Sequence, residues 1–78
     1  MDEEKIYYQP TVEEFKYDWL RGKWIHKELH ASTLIFVDWL SAENYKYKFI
    51  SGLKEIGVKL KDGNFKYSNA KVVVCQKN

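Results

Sequence analysis

The stretch His30-Ala31-Ser32-Thr33-Leu34-Ile35-Phe36-Val37-Asp38-Trp39-Leu40 decides how this chain is read. Its length, and apolar residues spread around nearly a whole helical circumference, predict a buried helix over residues 30–40. Only the side carrying Ala31 and Asp38 would face water. The β-branched residues Thr33, Ile35 and Val37 pull the other way, towards strand. Short apolar runs are ambiguous by pattern alone. The helical reading is the one followed here, and it fixes the sense of everything on either side.

Downstream, Ser41-Ala42-Glu43-Asn44 reads as a tight turn or cap. Tyr45, Phe49, Leu53 and Ile56 then recur at spacings of four, four and three, which predicts an amphipathic helix over residues 44–56. Gly57 stands where a left-handed C-cap belongs. Gly52, inside that helix, lowers helix propensity and predicts close packing against a neighbour. Beyond Gly57 the period falls to two. Val58 and Leu60 alternate with Lys59 and Lys61, Asp62-Gly63 is a hairpin-turn signal, and Phe65 and Tyr67 flank Lys66. After a break at Ser68-Asn69, Lys71 to Cys75 reads as a closing strand. An antiparallel hairpin of residues 58–61 and 65–75 is expected.

Upstream, residues 1–10 read as a leader with room for a short strand at Ile6-Tyr7-Tyr8. Thr11-Val12-Glu13-Glu14 has the form of a capping box, in which Thr11 accepts from the Glu14 amide and Glu14 reaches back. Val12, Phe15 and Trp19 follow at helical spacing, Tyr17 and Leu20 widen the apolar face, and Gly22 is a stop. A helix over residues 12–20 is expected. Lys23 to Leu29 reads as either a short strand or a turn. The order is that of an α+β winged-helix-like domain over residues 11–78, with three helices and a basic hairpin wing.

Composition narrows the function. The 78 residues make one domain, with 45% hydrophobic and 31% charged residues. That profile fits a folded domain rather than a disordered tail. Aromatics are abundant at 17%; most are expected in a thin core, the rest as contact surface. The single cysteine, Cys75, excludes a disulfide-stapled secreted scaffold. The acidic start lacks a signal-peptide pattern and the longest apolar run, Leu34 to Val37, cannot span a bilayer. A cytoplasmic location, or a nuclear one, is expected. Net charge is +2 but uneven: residues 1–20 hold six acids against two lysines, and residues 44–78 hold eight lysines against Glu55 and Asp62. A basic C-terminal half suits a phosphate-bearing partner, and a solvated lysine-rich surface is the plain alternative.

With Tyr45, Phe49, Leu53 and Ile56 turned inward, Tyr47, Ser51 and Lys54 would face out, flanked by Lys46, Lys48 and Ile50. Lys61, Asn64 and Lys66 would sit at the wing tip. These residues form the expected DNA surface. It has no arginine, so it favours backbone or shape recognition over base reading.

The run VEEFKYDWL…STLIFVDWLSAENYKYKFISGLKEIGV, with Phe36, Trp39, Phe49, Leu53, Gly57 and Val58 at comparable spacing, resembles the small C-terminal winged-helix domain of phage- and poxvirus-type primase-helicases. The resemblance spans roughly residues 12–75 and rests mostly on core positions. It implies nucleic-acid binding and no enzymatic activity, since helicase, phosphate-loop and primase motifs are all missing from this chain.

Catalysis is not expected. His26 and His30 would share a helix face, but His-Lys-Glu-Leu-His is not the zinc-protease order, and no spacing to Cys75 or Asp38 demands a metal. Cys75 reads as a small core residue. Glu13-Glu14 is explained by helix-start electrostatics. Neither cofactor nor metal is expected. The alternative to DNA binding is a small phage-type inhibitor or adaptor that blocks a host enzyme through an aromatic surface, with Tyr7, Tyr8, Tyr17 and Trp24 as anchors. A strand in place of the helix at residues 30–40 would favour this alternative.

Overall fold

The computed structural model describes residues 5–60 and 64–77. The described residues form one helix and one antiparallel sheet. Strand β1 runs Lys5–Asp18, β2 runs Lys23–Ala31, helix α1 runs Trp39–Leu60 and β3 runs Phe65–Lys77. The sheet order is β2-β1-β3, so the first strand lies in the middle. The winged-helix expectation is therefore overturned. The expected helices over 12–20 and 30–40 are absent, and the one over 44–56 is part of a longer α1. Residues 58–60 belong to that helix rather than to a wing strand, and β3 pairs with β1 instead.

Residues 12–20 illustrate the physical reason. Phe15, Tyr17 and Trp19 also recur every second residue, with Lys16 and Asp18 between, which is the period of a strand. The capping box does not form. Thr11 Oγ1 donates to the Lys71 carbonyl across the sheet at 3.1 Å, and the Glu14 carboxylate meets His30 Nε2 at 2.6 Å. Gly22 ends a hairpin turn, not a helix. It adopts φ 66°, its amide donates to the Asp18 carbonyl at 2.7 Å, and the Asp18 carboxylate accepts from the amides of Leu20 and Arg21.

The deciding stretch divides into three parts. His30 and Ala31 close β2. Phe36 then forms a bridge with Tyr8, each amide donating to the other's carbonyl, so the chain continues along the edge of β1. Asp38 caps α1: its carboxylate accepts from the Ser41 amide at 2.8 Å and the Ser41 hydroxyl at 2.9 Å. These bonds hold the Asp38 carboxyl below its ordinary range, the backbone bond contributing most. Pro10 survives in a central strand for a related reason. Its carbonyl accepts from the Ser32 amide, so its missing N–H points to the same side, into the gap between Ser32 and Phe36.

Helix α1 packs on β1 and β3. The Tyr67 hydroxyl donates to the Leu53 carbonyl, which places Tyr67 on the helix side of the sheet. Gly57 lies within the helix, not beyond it. A Cβ there would stand 2.6 Å from the Phe65 ring, so β3 could not approach so closely beside a larger residue. A Cβ at Gly52 would meet nothing within 4 Å among the described residues, so the expected close neighbour is not found there. The break at Ser68-Asn69 is a β-bulge inside one continuous strand, with Asn69 at φ 55°.

The core is thin. Among the described residues, Val12, Ala42 and Pro10 are the apolar side chains fully enclosed, together with Glu14, Thr11 and Ser32. Ile56, expected inside, is more than half exposed. The molecule measures 56 × 22 × 18 Å, with a radius of gyration of 15.2 Å; a compact chain of this length would have about 11–12 Å.

Candidate protein-interaction surface

Two faces of the sheet carry different chemistry. On the helix side, Val12 and Glu14 of β1 lie beside His30 of β2 and Phe65 and Tyr67 of β3. Glu14 is 1% exposed, and the His30 ring stacks edge-on to Tyr67 at 5.8 Å. Glu28 Oε2 lies 3.8 Å from His30 Nε2. Glu14, Glu28 and His30 are thus the one trio of metal-type ligands close enough to share an ion among the described residues. Within it, His30 Nε2 and Glu14 Oε1 are bonded directly to each other.

The opposite face has no helix over it. Here Phe15 and Tyr17 of β1 stand between His26 and Trp24 of β2 and Lys66 of β3, as the strand registers require. The side chains form a continuous row. Trp19 meets Tyr17 edge-on at 4.7 Å, and Tyr17 meets Trp24 at 5.3 Å. The Lys66 ammonium lies 4.6 Å over Trp24 and 5.8 Å from Phe15, and Phe15 meets His26 at 5.4 Å. His26 pairs with Glu13 at 3.3 Å, and Asn69 Nδ2 donates to the same carboxylate at 2.5 Å.

His26 and His30 therefore do not share a face. A β-bulge between Glu14 and Phe15 inserts Lys27 into β2 and inverts the alternation between the two histidines. Neither meets Cys75 or Asp38. The Cys75 thiol donates to Gln9 Oε1 at 3.2 Å.

The row ends at the β1–β2 turn. Trp19 is 73% and Leu20 99% exposed, and Ile25 is exposed beside them. Lys16, Tyr17, Trp19, Leu20, Ile25 and His26 line an open cleft of about 590 Å³. Nothing in the hairpin's own geometry requires these apolar residues, because Asp18 and Gly22 make the turn.

The expected DNA-binding residues are dispersed. Tyr47, Lys48, Ser51 and Lys54 are exposed on α1, as the helical wheel requires. Lys46 is mostly covered, paired with Glu43, its ammonium 5.2 Å from the Tyr47 ring. Asn64 precedes β3, its carbonyl accepting from the Tyr17 amide. Lys66 lies on the face of the sheet opposite the helix. Lys61 and the Asp62-Gly63 turn fall outside the described residues. Of the expected protein anchors, Tyr17 and Trp24 are neighbours, while Tyr7 and Tyr8 lie far along β1, half-buried. Phe15, Trp19, Leu20 and Lys66 complete the surface. Trp19 and Leu20, expected on the apolar face of a helix, stand instead at the turn that Asp18 and Gly22 make around them.

Comparison with protein-family models, curated proteins and solved structures finds no match. Among the described residues, no helix is long and apolar enough to cross a membrane.

Proposed function

We propose that this chain is a non-catalytic protein-binding module, of inhibitor or adaptor type, that grips its partner with the β1–β2 hairpin. The observation that carries the reading is the pair Trp19 and Leu20, exposed at a turn that Asp18 and Gly22 form without them. Large apolar side chains at a hydrogen-bonded turn, backed by aromatic rings and a cationic group, have the composition of an interface hot spot. Ring-to-ring contacts from Trp19 to Trp24 fix the side chains before binding, which lowers the entropy lost on association. The reactive groups support a binding role. His30 and Glu14 are bonded to each other, His26 and Glu13 are paired at the surface, and Cys75 is bonded to Gln9. A single cysteine in this environment suits a reducing compartment such as the cytoplasm.

Nucleic-acid binding, the first expectation from sequence, rested on a recognition helix beside a basic wing. Among the described residues, Lys48 and Lys54 stand on α1 while Lys66 lies on the opposite side of the sheet, and the Trp24 face a base would stack on is taken by Lys66.

The test is photo-crosslinking in nuclease-treated host lysate, with the probe placed at Leu20 or at Lys48. A single stoichiometric protein caught from position 20, and lost in Trp24→Ala, is the expected result. Capture from position 48 instead, or capture abolished by nuclease, would return the argument to the lysine-bearing helix.

A further inference from the structure

We propose that the free edge of β3 pairs with the same edge of a second copy of this chain. The strands run antiparallel about a two-fold axis at Val73, and the sheet extends to six strands.

The first support is area. A folded monomer of 9.4 kDa exposes about 5,000 Å², whereas this chain exposes 6008 Å². The excess, about 1,000 Å², is comparable with the surface each partner buries in a standard interface, about 800 Å². The hairpin with Trp19 and Leu20 accounts for part of this excess, so the area favours association and the edge itself decides where the second copy sits.

The second support is the edge itself. β3 lies at the margin of the sheet with nothing paired on its outer side among the described residues. From Lys71 to Lys77 it reads KVVVCQK, with five uncharged residues and no proline. Such an edge is a template for another strand. The opposite edge, β2, carries Lys23, Lys27 and Glu28, charges that discourage pairing.

The hydrogen-bond phase fixes which groups are available. In β1, Tyr8 and Pro10 direct their backbone groups towards Phe36 and Ser32, away from β3. Tyr7, Gln9 and Thr11 therefore bond across to Cys75, Val73 and Lys71, their register partners. It follows that Val72, Val74 and Gln76 point their N–H and C=O groups outward. A two-fold axis at Val73 sets Val72 against Val74 of the second copy in a doubly hydrogen-bonded pair. It brings the three valines onto three valines and places Lys71 opposite Cys75 of the second copy and Lys77 opposite Asn69. No like charges meet. An axis at Val74 would set Lys71 against Lys77, which disfavours that register.

The site is separate from the hairpin, so failure here leaves the protein-binding reading standing, and the reverse also holds. Sedimentation equilibrium of the full chain is expected to give twice the 9.4 kDa monomer mass. Val74→Pro removes an outward N–H that no bond among the described residues uses. It should give a monomer with an unchanged far-UV circular dichroism spectrum. Val74→Lys, a milder change to the same edge, should weaken the dimer at least tenfold, with recovery at high salt. Lys71→Cys should crosslink to the native Cys75 of the second copy under mild oxidation. The two positions would form a cross-strand pair at disulfide distance, while within one strand they are too far apart. A monomer at all concentrations overturns the proposal. So does a dimer that folded Val74→Pro and Val74→Lys leave intact, or one that Lys71→Cys cannot crosslink.

Discussion

Replacing His30 by alanine tests the sheet and its buried pair together. Glu14 is 1% exposed and its carboxylate is 2.6 Å from His30 Nε2. Removing the imidazole leaves a buried carboxylate without its main partner. Stranding a buried polar group costs about 1–3 kcal/mol. Glu14 keeps a further interaction, so we expect the middle of that range, about 2 kcal/mol. For a domain of this size that is a fall in Tm of about 8–16 °C. Glu14→Gln retains an oxygen acceptor and should cost about 1 kcal/mol. Urea unfolding followed by far-UV circular dichroism measures both, and the double variant gives the coupling. Were Glu14 part of a capping box with Thr11, His30 would be sixteen residues away and of no consequence to it. A loss below about 0.5 kcal/mol in His30→Ala would therefore refute the pairing of β1 with β2 that brings the two together.

The two helical glycines should respond in opposite senses. Gly52→Ala meets nothing within 4 Å and should stabilise by about 0.5–1 kcal/mol, whereas Gly57→Ala must displace the Phe65 ring and should destabilise; thermal melts decide both. Gly22→Ala forces a β-carbon into φ 66° and should cost about 1–2 kcal/mol, read by urea titration. The Asp38 cap predicts a pH effect. Because its folded carboxyl is held below the ordinary value by the Ser41 amide and hydroxyl, its contribution is full above the unfolded pKa, near 3.9, and is lost as pH falls through the lowered value. Asp38→Asn keeps a capping oxygen and should flatten that part of the stability profile, measured by acid titration of the helical signal.

The residues explain what was legible in advance and what was not. The helix containing Tyr45, Phe49 and Leu53 was readable because its apolar positions keep a helical period over several turns. Its true start was readable too, since Asp38 and Ser41 stand in capping relation. That signal was hidden by reading Asp38 as a solvent-facing position in a preceding helix. Val12, Phe15 and Trp19 satisfy a helical period while Phe15, Tyr17 and Trp19 satisfy a strand period, so local pattern could not choose. Pairing with β3, some fifty residues away, chose instead. Strand bulges defeated the remaining inferences. The extra Lys27 sends His26 and His30 to opposite faces, and the bulge at Asn69 joins what read as two segments. On the candidate surface, Tyr17 and Trp24 were foreseeable as aromatic anchors. Lys66 was expected on a wing, and its place over Trp24 depends on a register that no short-range signal encodes.

Most direct of all is the unfolding free energy of a Trp19→Ser, Leu20→Ser double variant against the parent chain. If these side chains serve a partner and not the fold, the two proteins unfold within about 1 kcal/mol of each other, the loss of the edge-on contact between Trp19 and Tyr17 included. A loss of about 2 kcal/mol or more, the size expected for buried apolar groups, would mean that the hairpin tip belongs to the core and offers no gripping surface.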